Sequence, residues 1–342
     1  MKILIIKLGA LGDVLRTTPL LTEFKRRYPD SRIDWLVNSQ CREALLGNLL
    51  IDSLIFYSDN EWASLKKSEY DLAVNLDKDK EALDSIEAVS AKKKMGFGRS
   101  KSGKLCALDG LSDYAYRLGI DDDLKFKKNK KTYQEISFEQ VGFSFNGEDY
   151  VFSVSEEDRD FARTCLENLG VHFKSKKRPV IGLNTGSGNR FAGKRLPVET
   201  FLKLIQKFFN ELHADVILFG GKDEIERNKE ITSRSQSPVI NAGSHGLKHF
   251  AAIIGECDLV VSGDTTAMHI AIAMKVPVAA YFASTCASEI ELYSRGRKIV
   301  SGIECSPCYK QICPIDEQCM KDMSAESIFS AAKEILEETR VR

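Results

Sequence analysis

Three short loops carry most of the residues that are able to do chemistry. Gly9–Asp13 follows an apolar run near the start of the chain, Asn184–Pro197 begins at the end of a second run, and Ser262–His269 ends a third. Hydroxyls, backbone N–H groups and an ammonium group are the donors that hold phosphate oxygens, and a carboxylate is able to accept a proton. Together the three loops predict phosphate chemistry assisted by one acid–base group.

The first loop contains Gly9, Gly12 and Asp13, and it opens a helix. It is not a dinucleotide fingerprint, because G-x-G-x-x-G lacks its first glycine here and no acidic residue ends the second strand. Asp13 has two interpretations. An Asp at the start of a helix usually caps free N–H groups, whereas an Asp at the mouth of a cleft serves as a general base.

The second loop predicts donors for phosphate oxygens. Thr185 offers a hydroxyl, Gly186 a backbone N–H, and Lys194 an ammonium group. The loop is not a P-loop, because G-x-x-x-x-G-K-[ST] is absent. A loop of this composition is unspecific when taken alone.

The third loop predicts a helix N-terminus that suits a diphosphate. We expect Asp264 to cap a helix that begins at Thr265, whose first N–H groups and dipole attract anions. Thr265 and Thr266 add two hydroxyls. His269 lies four residues after Thr265 and shares its helix face, but a lone histidine on a helix is more often structural.

Four cysteines crowd into fifteen residues: Cys305, Cys308, Cys313 and Cys319. This compact spacing, with Pro307 and Pro314 to favour turns, suits a four-thiolate structural site for zinc or iron. The spacing matches no paired C-x2-C finger. Disulfides or reduced thiols packed in the interior therefore remain alternatives.

Strand-like and helix-like segments alternate twice along the chain. The predicted strands are Lys2–Lys7, Arg32–Val37, Ser53–Tyr57, Leu72–Leu76, Val180–Asn184, Asp215–Phe219, Val239–Asn241, Leu259–Ser262 and Val278–Phe282. This rhythm predicts an α/β fold of two Rossmann-like domains that face a central cleft, the usual place for a ligand. We place the first domain at 1–172 and the second at 173–324, with a polar linker at 174–179. A C-terminal helix within 325–342 is expected to pack back toward the first domain.

Composition restricts the class of protein. The 342 residues are 43% hydrophobic and 29% charged, and 49 Lys and Arg balance 49 Asp and Glu. A neutral chain is atypical of a dedicated nucleic-acid binder. No apolar run approaches the roughly 20 residues that span a bilayer. The apolar start Met1–Leu15 contains Lys7 and Asp13, so we interpret it as a buried strand rather than a signal peptide and expect a soluble, cytoplasmic protein.

These motifs resemble those of the heptosyltransferases of glycosyltransferase family 9, which elongate the inner core of bacterial lipopolysaccharide. The resemblance runs through most of the chain. It is carried by K-x-G-A-L-G-D-V-L-R-T-T-P at Lys7–Pro19, by Met95–Phe97, by Asn184–Pro197, by Leu218–Gly221, and by Gly263–His269 followed by Pro277.

The resemblance implies a GT-B fold with an ADP-heptose donor on the second domain and the lipopolysaccharide inner core as acceptor on the first. Asp13 would match the family's base and Lys194 its phosphate-binding lysine. The matching donor loop is Asp264, Thr265, Thr266 and His269. Lys194 and the helix start would hold the charge that develops on the leaving diphosphate, so the transfer would require no divalent metal.

One departure from the family pattern bears on the donor. The family usually has Gly where this chain has Thr266 or Ala267. The larger side chain would tighten the approach of the backbone to the donor, a change compatible with a different sugar nucleotide.

Two basic clusters, Lys92–Lys104 and Lys125–Lys131, fall in the first domain. They are either solvated loops or a surface for the anionic inner membrane and the phosphates of the acceptor. The second interpretation predicts peripheral attachment on the cytoplasmic face.

Two other functions remain open from the sequence. The first is another GT-B nucleotide-sugar enzyme, with a different donor or acting as a 2-epimerase. The second is a non-catalytic relative that kept the fold, which the presence of Asp13 and Lys194 disfavours.

Overall fold

The computed structural model of the protein describes residues 1–57, 65–171, 178–187 and 194–341. Its contacts divide the chain into two compact units. Unit 1 comprises Met1–Ser153 with Ser288–Glu291, and unit 2 comprises Val154–Ala287 with Leu292–Arg342. The predicted boundary after residue 172 is therefore wrong. Most of the predicted linker at 174–179 lies outside the described residues.

Unit 1 is built on a six-stranded sheet in the order β3-β2-β1-β4-β5-β6. The strands are β1 (Lys2–Ile6), β2 (Arg32–Val37), β3 (Ser53–Phe56), β4 (Glu69–Asn75), β5 (Ser90–Arg99) and β6 (Leu105–Ala107). The helices are α1 (Leu11–Thr17), α2 (Pro19–Arg27), α3 (Arg42–Leu45), α4 (Lys80–Ala88), α5 (Asp113–Arg117) and α6 (Tyr133–Gln140). All neighbouring strands run parallel except β5 and β6.

Unit 2 repeats this plan, with the order β12-β11-β10-β7-β8-β9 and all pairs parallel. Its strands are β7 (Val180–Asn184), β8 (Asp215–Phe219), β9 (Ile240–Asn241), β10 (Leu259–Gly263), β11 (Val278–Phe282) and β12 (Gly296–Val300). Its helices are α7 (Glu156–Asn168), α8 (Val198–Leu212), α9 (Ile225–Arg234), α10 (Leu247–Gly255), α11 (Thr266–Ala273), α12 (Gln318–Lys321) and α13 (Ala325–Val341). The predicted α/β fold with two Rossmann-like domains is confirmed, since both sheets have the doubly wound strand order.

The central strands form because they are continuous apolar runs, as parallel strands covered on both faces require. Residues Ile3 to Ile6 of β1 and Leu259 to Val261 of β10 are fully buried. Two helices, α1 and α2, follow one another between residue 11 and residue 27. The chain breaks at Thr18 because Pro19 has no N–H to continue the helical hydrogen bonds, and Pro19 starts α2 instead.

Two helices lie elsewhere than predicted. Helix α7 packs against α10 and so belongs to unit 2. Helix α13 packs against α8 and strands β10 to β12 of unit 2, where Ile328, Phe329 and Ala332 are buried. The prediction that it packs toward the first domain is wrong, because its apolar face fits a face of the second sheet. Within the described ranges, no helix is long and apolar enough to cross a membrane.

Candidate active site

The strand order reverses between β1 and β4 in unit 1 and between β7 and β10 in unit 2. In doubly wound sheets, ligands bind beside the carboxyl ends of the strands at this reversal. The first of the three sequence loops follows β1, and the other two follow β7 and β10. The fold therefore brings the second and third loops together, at the point where a Rossmann-like domain holds its ligand.

Asp13 is the third residue of α1 and lies in its first turn. Ala10 occupies the N-cap, so Asp13 does not stand at the N-cap position of this helix. The carboxylate instead pairs with Arg16, whose Nη2 lies 2.7 Å from Asp13 Oδ1. The Asp13 side chain is 35% exposed. It is thus a negative charge at a helix N-terminus, where the dipole favours it, with a surface open to solvent.

A buried ion pair braces the loop that precedes Asp13. Lys7 Nζ lies 2.5 Å from Asp77 Oδ1, and the backbone N–H of Leu8 donates to Asp77 Oδ2 at 2.6 Å. Burial alone would lower the pKa of Lys7, but the charges of Asp77 and Asp13 outweigh it and the pKa is raised. Lys7 therefore stays protonated. Sequence analysis missed Asp77, although a carboxylate directly after a buried strand was a usable signal.

The two predicted glycines of this loop differ in position. Gly12 is the second residue of α1, and Gly9 precedes the helix. A Cβ added at Gly9 would meet Asn38 and Cys41 at 3.7 Å, which is an ordinary contact. The surroundings of Gly9 therefore do not by themselves require a glycine.

Asn184 ends β7 and holds two loops of unit 2 together. Its amide Nδ2 donates to Gly186 O at 2.9 Å, to Thr265 Oγ1 at 3.1 Å and to Ser262 Oγ at 3.2 Å. The neighbouring Thr185 is fully buried, and its hydroxyl bonds to Phe219 O at 3.1 Å. Thr185 therefore positions the loop from inside and does not present its hydroxyl to a ligand, contrary to the prediction.

Lys194 and Asp264 form an ion pair where the second and third loops meet. Lys194 Nζ donates to Asp264 O at 3.0 Å and to Asp264 Oδ2 at 3.3 Å. His269 Nε2 lies 3.7 Å from Asp264 Oδ1, and Thr285 donates a further hydrogen bond to the carboxylate. Burial alone would raise the pKa of Asp264, but the His269 hydrogen bond and the Lys194 charge hold it well below its usual range.

The N-terminus of α11 lies beside this ion pair. Thr265, and not Asp264, is the N-cap, so the predicted cap is wrong by one residue. The Asp264 side chain pairs instead with Lys194 and His269. In the described part of the chain, no side chain caps the first N–H groups of α11. Thr266 is half-buried, whereas Ala267 and His269 are buried. The free donors and the dipole of α11 therefore lie next to a lysine, which is the arrangement that holds phosphate.

Glu224 is a buried carboxylate that sequence analysis missed. Its Oε2 accepts the backbone N–H of Gly221 at 2.9 Å. Its buried Oε1 lies 3.8 Å from Arg195 Nη2 and accepts no hydrogen bond within the described ranges. Gly186 allows this approach, because a Cβ there would lie 2.1 Å from the Glu224 carboxyl carbon. The charge of Arg195 partly offsets the cost of burying this oxygen, whose capacity to accept a hydrogen bond is unused within the described ranges.

Comparison with known proteins assigns the chain to a family. The family model for glycosyltransferase family 9 (heptosyltransferase) matches residues 61–318. The chain belongs to glycosyltransferase family 9. Among curated relatives, lipooligosaccharide heptosyltransferase 2 of Campylobacter jejuni is 27% identical over 51% of this chain. The alignment spans 61% of that relative, about three fifths of its length.

Two solved structures share the fold of this family 9 protein. The glycosyl transferase family 9 protein of Veillonella parvula has a TM-score of 0.77 at 20% identity, covering 98% of this chain and 97% of that one. The ADP-heptose lps heptosyltransferase II of Escherichia coli has a TM-score of 0.70 at 19% identity, covering 99% and 100%. Both support the GT-B architecture implied by the sequence motifs.

The four C-terminal cysteines of this family 9 protein lie in or beside an irregular segment between β12 and α13. Cys305 is exposed, Cys308 and Cys313 are half-buried, and Cys319 is buried in α12. All nine cysteines are free thiols. Where the chain is described, no group of three or more His, Cys, Asp or Glu side chains is arranged to hold a metal ion. The zinc or iron site stays a prediction.

Several lysines of the two basic clusters are paired with acids. Lys92 pairs with Asp71, Lys128 with Asp123, and Lys131 with Glu139. Arg99 likewise pairs with two carboxylates of α4. This local neutralisation favours the interpretation of solvated surface, since a paired charge attracts a membrane weakly.

Proposed function

We propose that this family 9 protein transfers a heptose from ADP-heptose to the inner core of lipopolysaccharide. The observation that carries the proposal is the α11 N-terminus of unit 2, whose free N–H groups lie next to Lys194. The E. coli structure of the same fold is named for ADP-heptose, and the C. jejuni relative for lipooligosaccharide. Those names support the donor and acceptor proposed here.

Unit 2 would hold the donor through its diphosphate. The N–H groups of Thr266 and Ala267 and the ammonium of Lys194 would bind the phosphate oxygens, with the α11 dipole adding to the attraction. Asp264 carries a negative charge and would repel phosphate, so its part is to hold Lys194 in place. Glu224 Oε1 would accept a hydrogen bond from a hydroxyl of the nucleotide.

Unit 1 would supply the base. The Asp13 carboxylate would take the proton from an acceptor hydroxyl while that oxygen forms a bond to the anomeric carbon of the heptose. The bond from this carbon to the diphosphate oxygen breaks in the same step, and its electron pair leaves with ADP. Such a single displacement inverts the configuration at the anomeric carbon. Lys194 and the α11 N-terminus would stabilise the charge on ADP, so the step needs no divalent metal.

Peripheral contact with the inner membrane would rest on the lysines of the basic clusters that have no acidic partner. In the described structure, Lys93, Lys101, Lys104 and Lys130 are four such lysines. Each lysine near an anionic membrane contributes roughly 1 kcal/mol, so four would support a weak and reversible attachment.

A donor panel tests the proposal. The protein is mixed with ADP-, GDP- and UDP-linked sugars and an acceptor prepared from heptose-free lipopolysaccharide, and transfer is followed by mass spectrometry. We expect transfer from ADP-heptose. Transfer from another sugar nucleotide would mean that this nucleotide sugar, and not ADP-heptose, is the donor. Epimerised donor without transfer would indicate a 2-epimerase, and no turnover with any donor would indicate a non-catalytic relative.

A further inference from the structure

We propose that Arg16 is a positioning residue for the base: its ion pair with Asp13 fixes the orientation in which the carboxylate meets the acceptor hydroxyl. The inference rests on the proposed function, because it assigns a part to Arg16 in a reaction for which Asp13 is the base. Arg16 Nη2 lies 2.7 Å from Asp13 Oδ1. A carboxylate fixed at one oxygen has one orientation instead of many, and this matters for proton transfer because the geometry of the transition state is narrow.

Arg16 is itself held in place by two further groups. Its guanidinium carbon lies 3.9 Å from the centre of the Tyr133 ring, and its Nη1 lies 3.9 Å from Glu289 Oε2. The Arg16 side chain is only 16% exposed. A guanidinium that stacks on an aromatic face loses its rotational freedom, so the Asp13 contact is pre-organised.

The Tyr133 ring rests on a rigid helix start. Thr132 and Glu135 form a capping box at the N-terminus of α6, which begins at Tyr133. The Tyr133 hydroxyl lies 2.8 Å from Thr17 Oγ1, on the same helix as Asp13 and Arg16. Gln134 Nε2 also donates to Arg16 O at 3.3 Å. Helices α1 and α6 are thus tied together around the guanidinium, and such second-layer support is what keeps a catalytic group in place.

Surface pairs at this spacing usually have a smaller part. Arg26 and Glu23 on α2 are also three residues apart and form a hydrogen-bonded pair at 2.6 Å, but the Arg26 side chain is 64% exposed. The Glu23 side chain is buried, but its cation faces solvent, so the pair stabilises the helix only slightly. Arg16 differs in being mostly buried against an aromatic ring and in having the partly exposed Asp13 carboxylate as its partner.

The charge of Arg16 also favours the ionised form of its partner. Asp13 accepts a proton only when it is ionised, and a cation 2.7 Å away stabilises that form. Other titratable groups act on the same pair and are unchanged by a substitution at Arg16: Lys7, Cys41, Tyr133, Tyr150 and Glu289. Removing the Arg16 cation therefore moves the acidic limb of the rate profile to higher pH.

The test compares Arg16→Met, Arg16→Lys and the control Arg26→Met by kcat/KM across pH 4 to 9 and by calorimetric titration of ADP. We expect Arg16→Met to lower kcat/KM about 10- to 100-fold and to raise the acidic limb by about one pH unit. Arg16→Lys keeps a cation, so it should restore the position of the limb while the rate stays reduced. ADP affinity should be the same in all variants, and Arg26→Met should behave as wild type.

Two outcomes would overturn the inference. The first is a wild-type pH profile in Arg16→Met, and the second is an acidic limb that moves as far in Arg16→Lys as in Arg16→Met. Either would reduce Arg16 to a helix-stabilising residue. If Arg16→Met does not fold, Arg16→Lys tests the inference alone. A reduced kcat/KM with the acidic limb at its wild-type position would then support the inference. Failure of the proposed function is a separate result, because the wild-type protein would then transfer no sugar at all.

Discussion

Asp13 of unit 1 and Asp264 of unit 2 are both carboxylates that follow a central strand and pair with a cation near a helix start. Asp13 contacts Arg16 through one oxygen and is 35% exposed. Asp264 is 19% exposed and is surrounded by Lys194, His269 and Thr285. The partners of Asp264 hold its pKa well below the usual range, so it stays ionised at any physiological pH.

The difference between the two surroundings separates two tasks that an aspartate side chain is able to perform. A base must take up a proton, so its carboxylate must be within reach of the substrate hydroxyl. An anchor must keep its charge and geometry while a ligand comes and goes, so it needs several partners and burial. The surroundings of Asp13 fit the first task, and those of Asp264 fit the second. The predictions below test that division.

The largest effect is expected from Asp13→Asn. The amide keeps the size of the side chain and cannot accept the proton, so the transfer rate should fall about 10²- to 10⁴-fold, as for removal of a positioned base. ADP affinity should not change, because the donor is assigned to unit 2. Single-turnover transfer and calorimetry would measure the two quantities. Transfer at the wild-type rate would show that the base lies elsewhere.

The second prediction concerns Lys194→Ala. Loss of a charge-assisted bond to the diphosphate, worth roughly 1.5–3 kcal/mol, should weaken ADP binding by about one to two orders of magnitude. Lys203→Ala is the matched control, since Lys203 is an exposed lysine on α8 of the same unit. Calorimetric titration of ADP into the three proteins measures the effect. Equal affinities would place the diphosphate away from α11.

The third prediction asks whether the cysteine segment braces the Asp264 site. The backbone N–H groups of Cys308 and Tyr309 both donate to Ser284 O, and Ser284 precedes the Thr285 that bonds to Asp264. If Cys305, Cys308, Cys313 and Cys319 bind zinc or iron, elemental analysis of protein purified without affinity metal should find about one equivalent.

Removal of that metal should lower the thermal midpoint and weaken ADP binding less than Lys194→Ala does. Cys308→Ser should reproduce the loss, and Cys106→Ser in β6 of unit 1 should not. A metal-free preparation with full stability would leave the four cysteines as packed thiols.

The smallest effect is expected from Glu23→Gln. The Glu23 carboxylate pairs with partners that contribute to folding alone. Hydrogen bonds from Arg26 and Arg27 outweigh burial and lower the pKa of Glu23 from its ordinary value of 4.5 to about 2. A lowered pKa means that the ionised form stabilises the fold above pH 4.5 and that this contribution disappears as the pH falls toward 2.

At pH 7, Glu23→Gln should therefore lower the free energy of unfolding by about 1 kcal/mol, a small value because both arginines face solvent. Urea titrations at several pH values should show the difference between the two proteins closing in acid. A difference that is constant with pH would mean that the charge of Glu23 contributes nothing. Transfer activity at pH 7 should stay at the wild-type level.

Much of the fold could be predicted because the central strands are local features of the sequence. The bounds of β2, β7, β8 and β11 agree with the sequence prediction residue for residue. A parallel strand covered on both faces must be apolar throughout, so it is recognisable without its neighbours. Strand β12 was missed because it lies at the edge of its sheet, and its start, Gly296, Arg297 and Lys298, reads as a loop.

The site was predicted in part. Sequence motifs located Asp13, Lys194 and the α11 start, because a loop between a strand and a helix is defined by a few consecutive residues. They missed Asp77 and Glu224, whose importance comes from what they contact. Asp77 lies 70 positions along the chain from Lys7, and the contact between them forms because β1 and β4 are neighbours in the sheet.

By itself, then, the sequence determined the two doubly wound halves and the loops that carry chemistry, since both follow from local patterns of apolar, glycine and hydroxyl residues. The tertiary structure alone decided which way those side chains turn. In the folded protein the Thr185 hydroxyl lies in the interior of unit 2, and Thr265 occupies the N-cap of α11. Asp264 also pairs with Lys194 there, and Arg16 stacks on Tyr133. Each of these outcomes depends on a residue far away in the chain, because burial and pairing are properties of the folded surroundings and not of the segment itself.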